Sequence, residues 1–397
     1  VIVVGLSSGT SVDAIDVAAA ELRLDDDGAV AMSPLGGLEV PFDPELRAAV
    51  LAALPPAATT LADVARIDTG LGRAFAAAAV RGVDELTGGR AELVASHGQT
   101  LFHWVEDGHV RGTLQLGQPA WIAEATGLPV LSDLRARDVA AGGHGAPLAS
   151  VLDVLLLGER AATTGGPVAA LNLGGIANVT VVGGAEPVAL DTGPANALLD
   201  AAVRAAGAGD RDTGGRRALR GTVDAAALDR LLAEPYYRLP APKSTGKELF
   251  DGGYTARVLA GHAVLDRLDD LLATLTELTA ATVAGALAPH RVREVLVSGG
   301  GAANPAVVAA LERRLAPAVL RPVSDAGLPG DAKEALLFAL LGFLTWHGVP
   351  ATVPSCTGAA RPTLAGRISP GAGPLRLPRP VRPPSRLRIT PPAAPGT

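Results

Sequence analysis

Short apolar runs alternate with polar, glycine-rich turns along most of the chain, and Ala- and Leu-rich stretches with helical spacing lie between them. Val1 to Leu6 is an apolar run that stops at the polar turn SSGTSVDAID, and a second run, Val17 to Leu24, follows. This pattern predicts strand, tight turn, strand at the start of a sheet. Asp25 to Gly28 is a further turn. Pro44 to Leu54 and Leu61 to Leu86 carry helical spacing. Glu92 to Ala95 reads as a buried strand that delivers SHGQT at its end. Gly112 to Gly117 is predicted as a strand, Ala120 to Thr126 as a helix, and Pro129 to Leu131 as a strand. The polar, Gly-rich segment SDLRARDVAAGGHGAPLAS lies between regular elements, where functional loops occur.

The opening pattern then recurs. Val168 to Leu173 reads as a strand, GGIANV as a turn, Thr180 to Val182 and Pro187 to Leu190 as strands, and Asp191 starts a predicted helix through Ala205. The recurrence suggests an internal duplication, carried by pattern and not by identity. Helices are predicted near Asp224 to Ala233, Tyr254 to Ala288 and Pro305 to Leu315, and a strand over Glu294 to Ser298 runs into GGGAANP. Strands alternating with helices indicate an α/β fold with a mostly parallel sheet. Residues 1–130 plus 355–370 are expected to form a first domain and 131–354 a second. From Pro370 onward Pro and Arg dominate and acidic residues are missing. Pro removes amide donors and clashes inside helices, so residues 371–397 are expected to be a disordered tail.

Length and composition narrow the classes. At roughly one domain per 150 residues, a chain of 397 residues predicts two domains or three. A net charge of −6 argues against a nucleic-acid binder, which carries a basic footprint. Cys356 is the single cysteine, which fits a reducing compartment. The N-terminal run lacks a signal-peptide pattern, and the longest apolar stretch, around Ala335 to Trp346, is too short for a bilayer of ~30 Å. A cytoplasmic protein without membrane partners is the expectation.

Four turns could carry chemistry. In SGTSVDAID, backbone amides and hydroxyls from Gly9 to Asp16, including Thr10 and Ser11, form a concavity that suits phosphate oxygens. Asp13 and Asp16 offer oxygen ligands to Mg²⁺, which is usually held through water. Asn172, Gly174 and Gly175 occupy the matching turn of the second half. An ordinary Gly-rich hairpin has the same composition, so either turn alone leaves both readings open. Asp191, followed by Thr192 and Gly193, could act as a base on water beside a helix N-terminus that attracts phosphate, or could simply be the helix N-cap. Gly299, Gly300, Gly301 and Asn304 follow a strand and let backbone approach a flat ligand such as adenosine. Dinucleotide and Walker A spacings are not met. Ser96 has no G-x-S-x-G elbow, and the six-residue spacing of His97, His103 and His109 fits no common zinc pattern.

SGTSVDAID, SHGQT, RARDVAAGGHGAPL, NLGGIANVT, DTGPAN, PKSTGKELF, VSGGGAANP and the pair of Glu334 with CTGAARPTLAGR occur together and in order. The set resembles the anhydro-N-acetylmuramic acid kinase family over roughly Val1 to Pro370. The resemblance implies the actin, Hsp70 and sugar-kinase superfamily: two duplicated actin/hexokinase-like (ribonuclease H-like) domains around an ATP cleft. It implies ATP and Mg²⁺ as cofactors, an anhydro amino sugar as substrate, and a homodimer. In the implied reaction, water opens the 1,6-anhydro ring and the freed O6 takes the γ-phosphoryl group. Asp191 matches the general base and Glu334 a second acid that places the water. Arg137 matches an active-site arginine suited to a substrate carboxylate. Ser96, His97 and Gln99 fall in a motif at the sugar side. Ala14 and Ala195 stand where the family usually has Gly, which matters only if φ is positive or a ligand packs there. The alternatives are a kinase for another amino sugar and a non-catalytic ATP-binding module.

Overall fold

The apolar opening of the chain forms β1 (Ile2–Ser7), buried along its whole length. In the computed structural model, which describes residues 1–9, 11–55, 57–106, 109–246 and 249–391, β1 lies inside a seven-stranded sheet. It pairs antiparallel with β2 (Ala14–Leu24), which pairs antiparallel with β3 (Ala29–Pro41). On its other side it runs parallel to β4 (Leu93–Ser96), the strand that delivers SHGQT. A two-stranded hairpin, β5 (Gln99–Glu106) and β6 (His109–Leu116), follows as a separate sheet. β7 (Val130–Ser132) then lies parallel to β4.

The second sheet has five strands in the order β10-β9-β8-β11-β12. Here β8 is Val168–Leu173, β9 Ile176–Val182, β10 Val188–Pro194, β11 Glu294–Ser298 and β12 Val319–Pro322. β8, β9 and β10 are antiparallel neighbours, and β8, β11 and β12 run parallel. The first sheet contains the same arrangement as β3-β2-β1-β4-β7, so the duplication expected from the sequence pattern is present as one strand order used twice. The α/β class is as expected.

Residues Val1–Leu156 with Gly327–Thr397 form one compact unit and Leu157–Ala326 the other. This corrects the expected boundaries at residues 130 and 355. β7 is bound to β4 by parallel pairing and cannot open the second unit, and helix Lys333–Trp346 packs on β1, with the Ala335 carbonyl against Gly5. The tail is corrected as well. β13 (Arg367–Ser369), just before it, pairs with β7, and within it β14 (Arg386–Ile389) pairs parallel with β3. Residues 392–397 lie outside the described residues. The sequence reading also missed β3, whose Pro34, Gly36 and Gly37 read as breakers. They fall beyond the β14 pairing and at a bulge in β3, where Leu35 is the extra residue opposite Ala19 and Ala20 of β2.

Each unit has its own core. In the first, helix Leu61–Arg81 starts at an N-cap, Thr60, and buries Ile67, Leu71, Phe75, Ala78 and Ala79. That three-to-four spacing is the apolar stripe of an amphipathic helix. In the second, helix Leu268–Leu287 is apolar on nearly every face and buries Leu272, Leu275, Leu278 and Val283 in the core. It is long and apolar enough to cross a membrane, but 72% of its apolar window is buried inside the protein, as in the core helix of a globular unit.

Candidate active site

The turn after β1 is held by an arginine from another element. Arg47, in helix Pro44–Ala53, donates to the Val12 carbonyl at 2.9 Å, the Ser11 carbonyl at 3.3 Å and Asp13 Oδ1 at 2.7 Å. Val12 is buried with φ +54°, a left-handed backbone that a β-branched residue adopts only under constraint. At Gly9 an added Cβ would meet nothing within 4 Å, so this backbone is open to an approaching ligand. Thr10 lies outside the described residues.

Asp13 and Asp16 are held differently. Asp13 is exposed and ion-paired to Arg47. Asp16 sits on β2 across from Ser7 of β1 and Glu39 of β3. Burial, then the nearby Glu334 and Glu39 carboxylates, push its carboxyl up to about 6. Among the described residues no group of three or more His, Cys, Asp and Glu side chains is arranged to hold a metal. The donors present fit Mg²⁺ only in the manner of a phosphate-bound ion, which takes one or two carboxylates and fills its shell with phosphate oxygens and water. Asp16 is the carboxylate available for that. Asp13 is engaged by Arg47.

Glu334 opens helix Lys333–Trp346. Its surface is reachable by solvent, yet desolvation by the surrounding protein raises its carboxyl pKa. Arg135, the Ser7 hydroxyl and Lys333 oppose that rise, in that order. Ser7 Oγ is buried and has no partner at hydrogen-bond distance among the described residues, so its effect on Glu334 is that of a nearby dipole.

The arginine beside Glu334 is Arg135, which the sequence reading passed over in favour of Arg137. Arg135 donates from Nε to His97 Nε2 at 3.0 Å and from Nη1 to the Gly145 carbonyl at 2.7 Å. Glu334 and Asp138 support its charge against burial. Arg137 is exposed in the short helix Ala136–Ala140 and makes no side-chain hydrogen bond among the described residues. Two arginines in R-A-R-D look alike in sequence, and only the packing of the loop separates them.

His97 is buried and stacks on Phe338 at 4.8 Å. Its Nδ1 faces the Gly98 carbonyl at 2.9 Å. Burial, then Arg135, push its pKa down to about 3, so it is neutral at physiological pH. The hydrogen bonds assign the proton to Nδ1 and leave Nε2 to accept from Arg135. Gln99 is also buried and accepts from Ser8 Oγ at 2.6 Å, which ties the SHGQT segment to the first turn. Ser96 Oγ is buried without a partner among the described residues. Asp138, fully buried, was not foreseen. It accepts from the Gly145 amide and from Thr357 Oγ1, each at 2.8 Å, and so pins the GGHG loop to the CTG segment.

In the second unit, Asp191 lies inside β10 and not at a helix start. The N-cap of helix Asn196–Ala205 is Ala195, which removes the N-cap reading of Asp191. A bulge between Asp191 and Gly193 bends the strand, and Gly193 has φ +151°. An added Cβ there would sit 2.9 Å from the Tyr237 ring. The Thr245 amide donates to Asp191 Oδ2 at 2.9 Å, and the Tyr236 hydroxyl to the Asp191 carbonyl at 2.9 Å. Lys243 binds the Tyr236 and Tyr237 carbonyls at 3.0 Å and lies over the Tyr236 ring. Burial lowers its pKa and the Asp191 charge opposes this. PKSTG is thus the frame of Asp191.

Amides at the start of helix Asn196–Ala205 were expected to face phosphate. Those of Ala195, Asn196 and Ala197 instead donate to the Gly175, Gly174 and Gly175 carbonyls. Asn172 Oδ1 lies 3.5 Å from Ser298 Oγ. Gly299, at φ +82°, and Gly301 are required by packing, since a Cβ would meet Asn172 Oδ1 at 2.6 Å and Leu173 Cβ at 2.7 Å. Gly300 has only Asn196 within reach, at 3.9 Å, and is the glycine of the three that leaves room for a ligand. Asn304 caps helix Pro305–Leu315, accepting from the Ala306 amide at 3.0 Å. Ala14 lies in β2 and Ala195 has φ −126°, so neither departure from Gly strains the backbone.

A family model described as anhydro-N-acetylmuramic acid kinase matches residues 1–371. An anhydro-N-acetylmuramic acid kinase of Streptomyces coelicolor is 60% identical over 98% of both chains. One of Gloeobacter violaceus is 41% identical over 92% of this chain and 98% of its own. Among solved structures, a ROK family glucokinase from Streptomyces griseus, in complex with glucose and AMPPNP, aligns at TM-score 0.36 and 17% identity, covering 86% of this chain and 99% of the glucokinase.

Proposed function

The chain belongs to the anhydro-N-acetylmuramic acid kinase family, and from that premise we propose that Asp191 is the general base of its reaction. The chain is an ATP-dependent kinase of peptidoglycan recycling that opens the 1,6-anhydro ring of anhydro-N-acetylmuramic acid and phosphorylates O6. Membership carries the family's cytoplasmic setting with it.

The observation that supports Asp191 is its frame. A carboxylate beside a strand bulge, with one oxygen taken by the Thr245 amide, is fixed in orientation before substrate arrives. A base so placed would take a proton from the water that attacks the anomeric carbon, an effect typically worth ~10²–10⁴ in rate. Glu334 is the second acid in this reading, and desolvation raises its carboxyl pKa above the ordinary carboxylate value. Arg135, not Arg137, is the arginine we assign to the lactyl carboxylate of the sugar. A guanidinium fixed through Nε and Nη1 keeps Nη2 as a donor for an anion.

The open backbone at Gly9 and the room beside Gly300 are the parts we assign to ATP. Mg²⁺ bound with ATP would neutralise phosphate charge, and Asp16 is the carboxylate that would hold it through water. The resemblance also leads us to expect two copies in solution, which sedimentation velocity tests. The base assignment predicts that Asp191→Asn keeps ATP affinity and loses at least ~10²-fold in kcat. A variant with near-normal ADP release on the anhydro sugar would remove Asp191 from the mechanism.

A further inference from the structure

The helix that presents Glu334 begins without the usual devices of a helix start. Its N-cap, Ala332, supplies no side-chain hydrogen bond to the first turn. Ser, Thr, Asp or Asn is the residue type that satisfies the orphan amides there. Its first residue, Lys333, is a cation, which the positive end of a helix dipole disfavours. That lysine is also buried. Its side chain is 11% exposed, and its Nζ lies 2.8 Å from Asp153 Oδ1, whose side chain is 5% exposed. Burying two charges carries a desolvation cost that their attraction often does no more than balance, and an apolar pair of similar volume commonly serves stability as well. Stability alone therefore gives no reason for an ion pair at this position. What a charge pair adds over an apolar contact is one preferred geometry.

The geometry at stake is that of the next residue. Consecutive helix positions differ by about 100° around the axis, so tying the Lys333 side chain to the interior turns Glu334 to another face, where solvent reaches it. From Ala335 to Thr345 every residue of the helix is buried and held by packing. Ahead of Glu334 the ion pair is the fixed point that a cap would otherwise be. Its other end is fixed too. Asp153 lies in helix Ala149–Thr164, which follows the Gly145 segment. Arg135 and Asp138 both hold Gly145, the first through its carbonyl at 2.7 Å and the second through its amide at 2.8 Å. The pair thus joins the part of the unit that carries Arg135 to the helix that carries Glu334.

We propose that Lys333, anchored by Asp153, is a positioning residue that holds Glu334 in its reactive orientation. This rests on the second-acid reading of Glu334 given above. Lys333 acts through the helix start and not on the substrate.

The test uses the full chain with ATP and the anhydro sugar, and removes the pair as a unit. Lys333→Met alone would strand a buried carboxylate and destabilise the fold, so it is combined with Asp153→Leu, which leaves a neutral, apolar pair. This double variant should melt no lower than wild type. Its kcat should nevertheless fall about tenfold, since a misplacement of ~1 Å can cost on the order of 10²-fold, while the KM for ATP stays within about twofold. Wild-type kcat in the double variant would overturn the proposal and leave the pair a structural contact. Single-turnover rates in a Glu334→Gln background supply the second readout. There, removing the pair should change the rate by no more than about twofold, because a residue that acts through Glu334 has nothing left to position. A further tenfold loss in that background would also overturn the proposal, whatever the melting temperature. Both of those results leave the second-acid reading standing. Glu334→Gln that by itself keeps wild-type kcat would withdraw that reading, and the role of Lys333 with it.

Discussion

Arg135 and Arg137 lie two positions apart, and one is anchored on both sides while the other stands in solvent. Their types are visible in the sequence, but their fates are not. Arg135 finds its acceptor on His97, 38 residues away. The same holds for His97 and Gln99, which sequence reasoning placed at the sugar. Among the described residues their side-chain hydrogen bonds go to Arg135, Gly98, Ser8 and Thr100, so they hold the site's frame. His97 can accept from Arg135 only while Nε2 lacks a proton, and a pKa near 3 keeps it so across physiological pH. Arg135→Lys should therefore raise the KM for the anhydro sugar at least ~10-fold, because an ammonium cannot keep both anchors and still offer a fork. Arg137→Lys should stay within about twofold, as surface changes generally do. Steady-state kinetics on the two variants decides between them, and the opposite ranking would return the carboxylate clamp to Arg137.

Elements were easier to read than their ends. The apolar runs gave β1, β4, β8 and β11 within a residue or two, since strands buried on both faces are nearly continuous in apolar residues. β10 was cut short at Leu190 because Asp-Thr-Gly-Pro reads as the start of a helix, whereas the bulge carries the strand on to Pro194. That extension puts Asp191 in a strand, where Thr245 can orient it. Helix Lys333–Trp346 shows a close fit of element to element. It lies on β1 so tightly that a Cβ on Gly5 would overlap the Ala335 carbonyl oxygen, and one on Gly342 would stand 2.9 Å from Ala95 Cβ. Neither neighbour is a flexible side-chain end. Gly5→Ala should therefore cost about 3 kcal/mol of stability, at the upper range for overpacking. It should also disturb Glu334, which opens the same helix. Urea unfolding gives the first quantity and kcat the second. A variant of wild-type stability would mean that the helix can slide on the sheet.

At the scale of the whole molecule, the sequence showed a repeat of strand, turn and strand but not that each half completes the same five-strand order. The last strands of each order join through parallel pairing across long stretches of chain, and no local pattern announces which sheet a three-residue strand such as β7 will enter. The tail was misread for a related reason. Its Pro-rich composition excludes a helix, but Arg386–Ile389 needs only one neighbour, the edge of β3, and takes it in parallel register. Asp27 then receives Arg386 and Arg388, each at 2.6 Å, and Ser33 Oγ meets Thr390 Oγ1 at 2.7 Å. Those arginines, Arg388 foremost, pull the Asp27 carboxyl down to about 2. A carboxylate with a depressed folded pKa favours the docked state above its ordinary pKa near 3.8 and loses that effect as pH falls towards 2. Ending the chain at Pro370 removes β14 and leaves every residue assigned to catalysis in place. The shortened chain should melt a few degrees lower at pH 7, by roughly the 2–4 °C that one kcal/mol is worth in a domain of this size. Its kcat and both KM values should match those of the full chain. The Tm difference should shrink between pH 4 and pH 2, where Asp27 takes up its proton and releases the arginines. A gap that stays constant over that range would assign the docking to backbone pairing alone. A loss of activity on truncation would give the tail a part in the reaction.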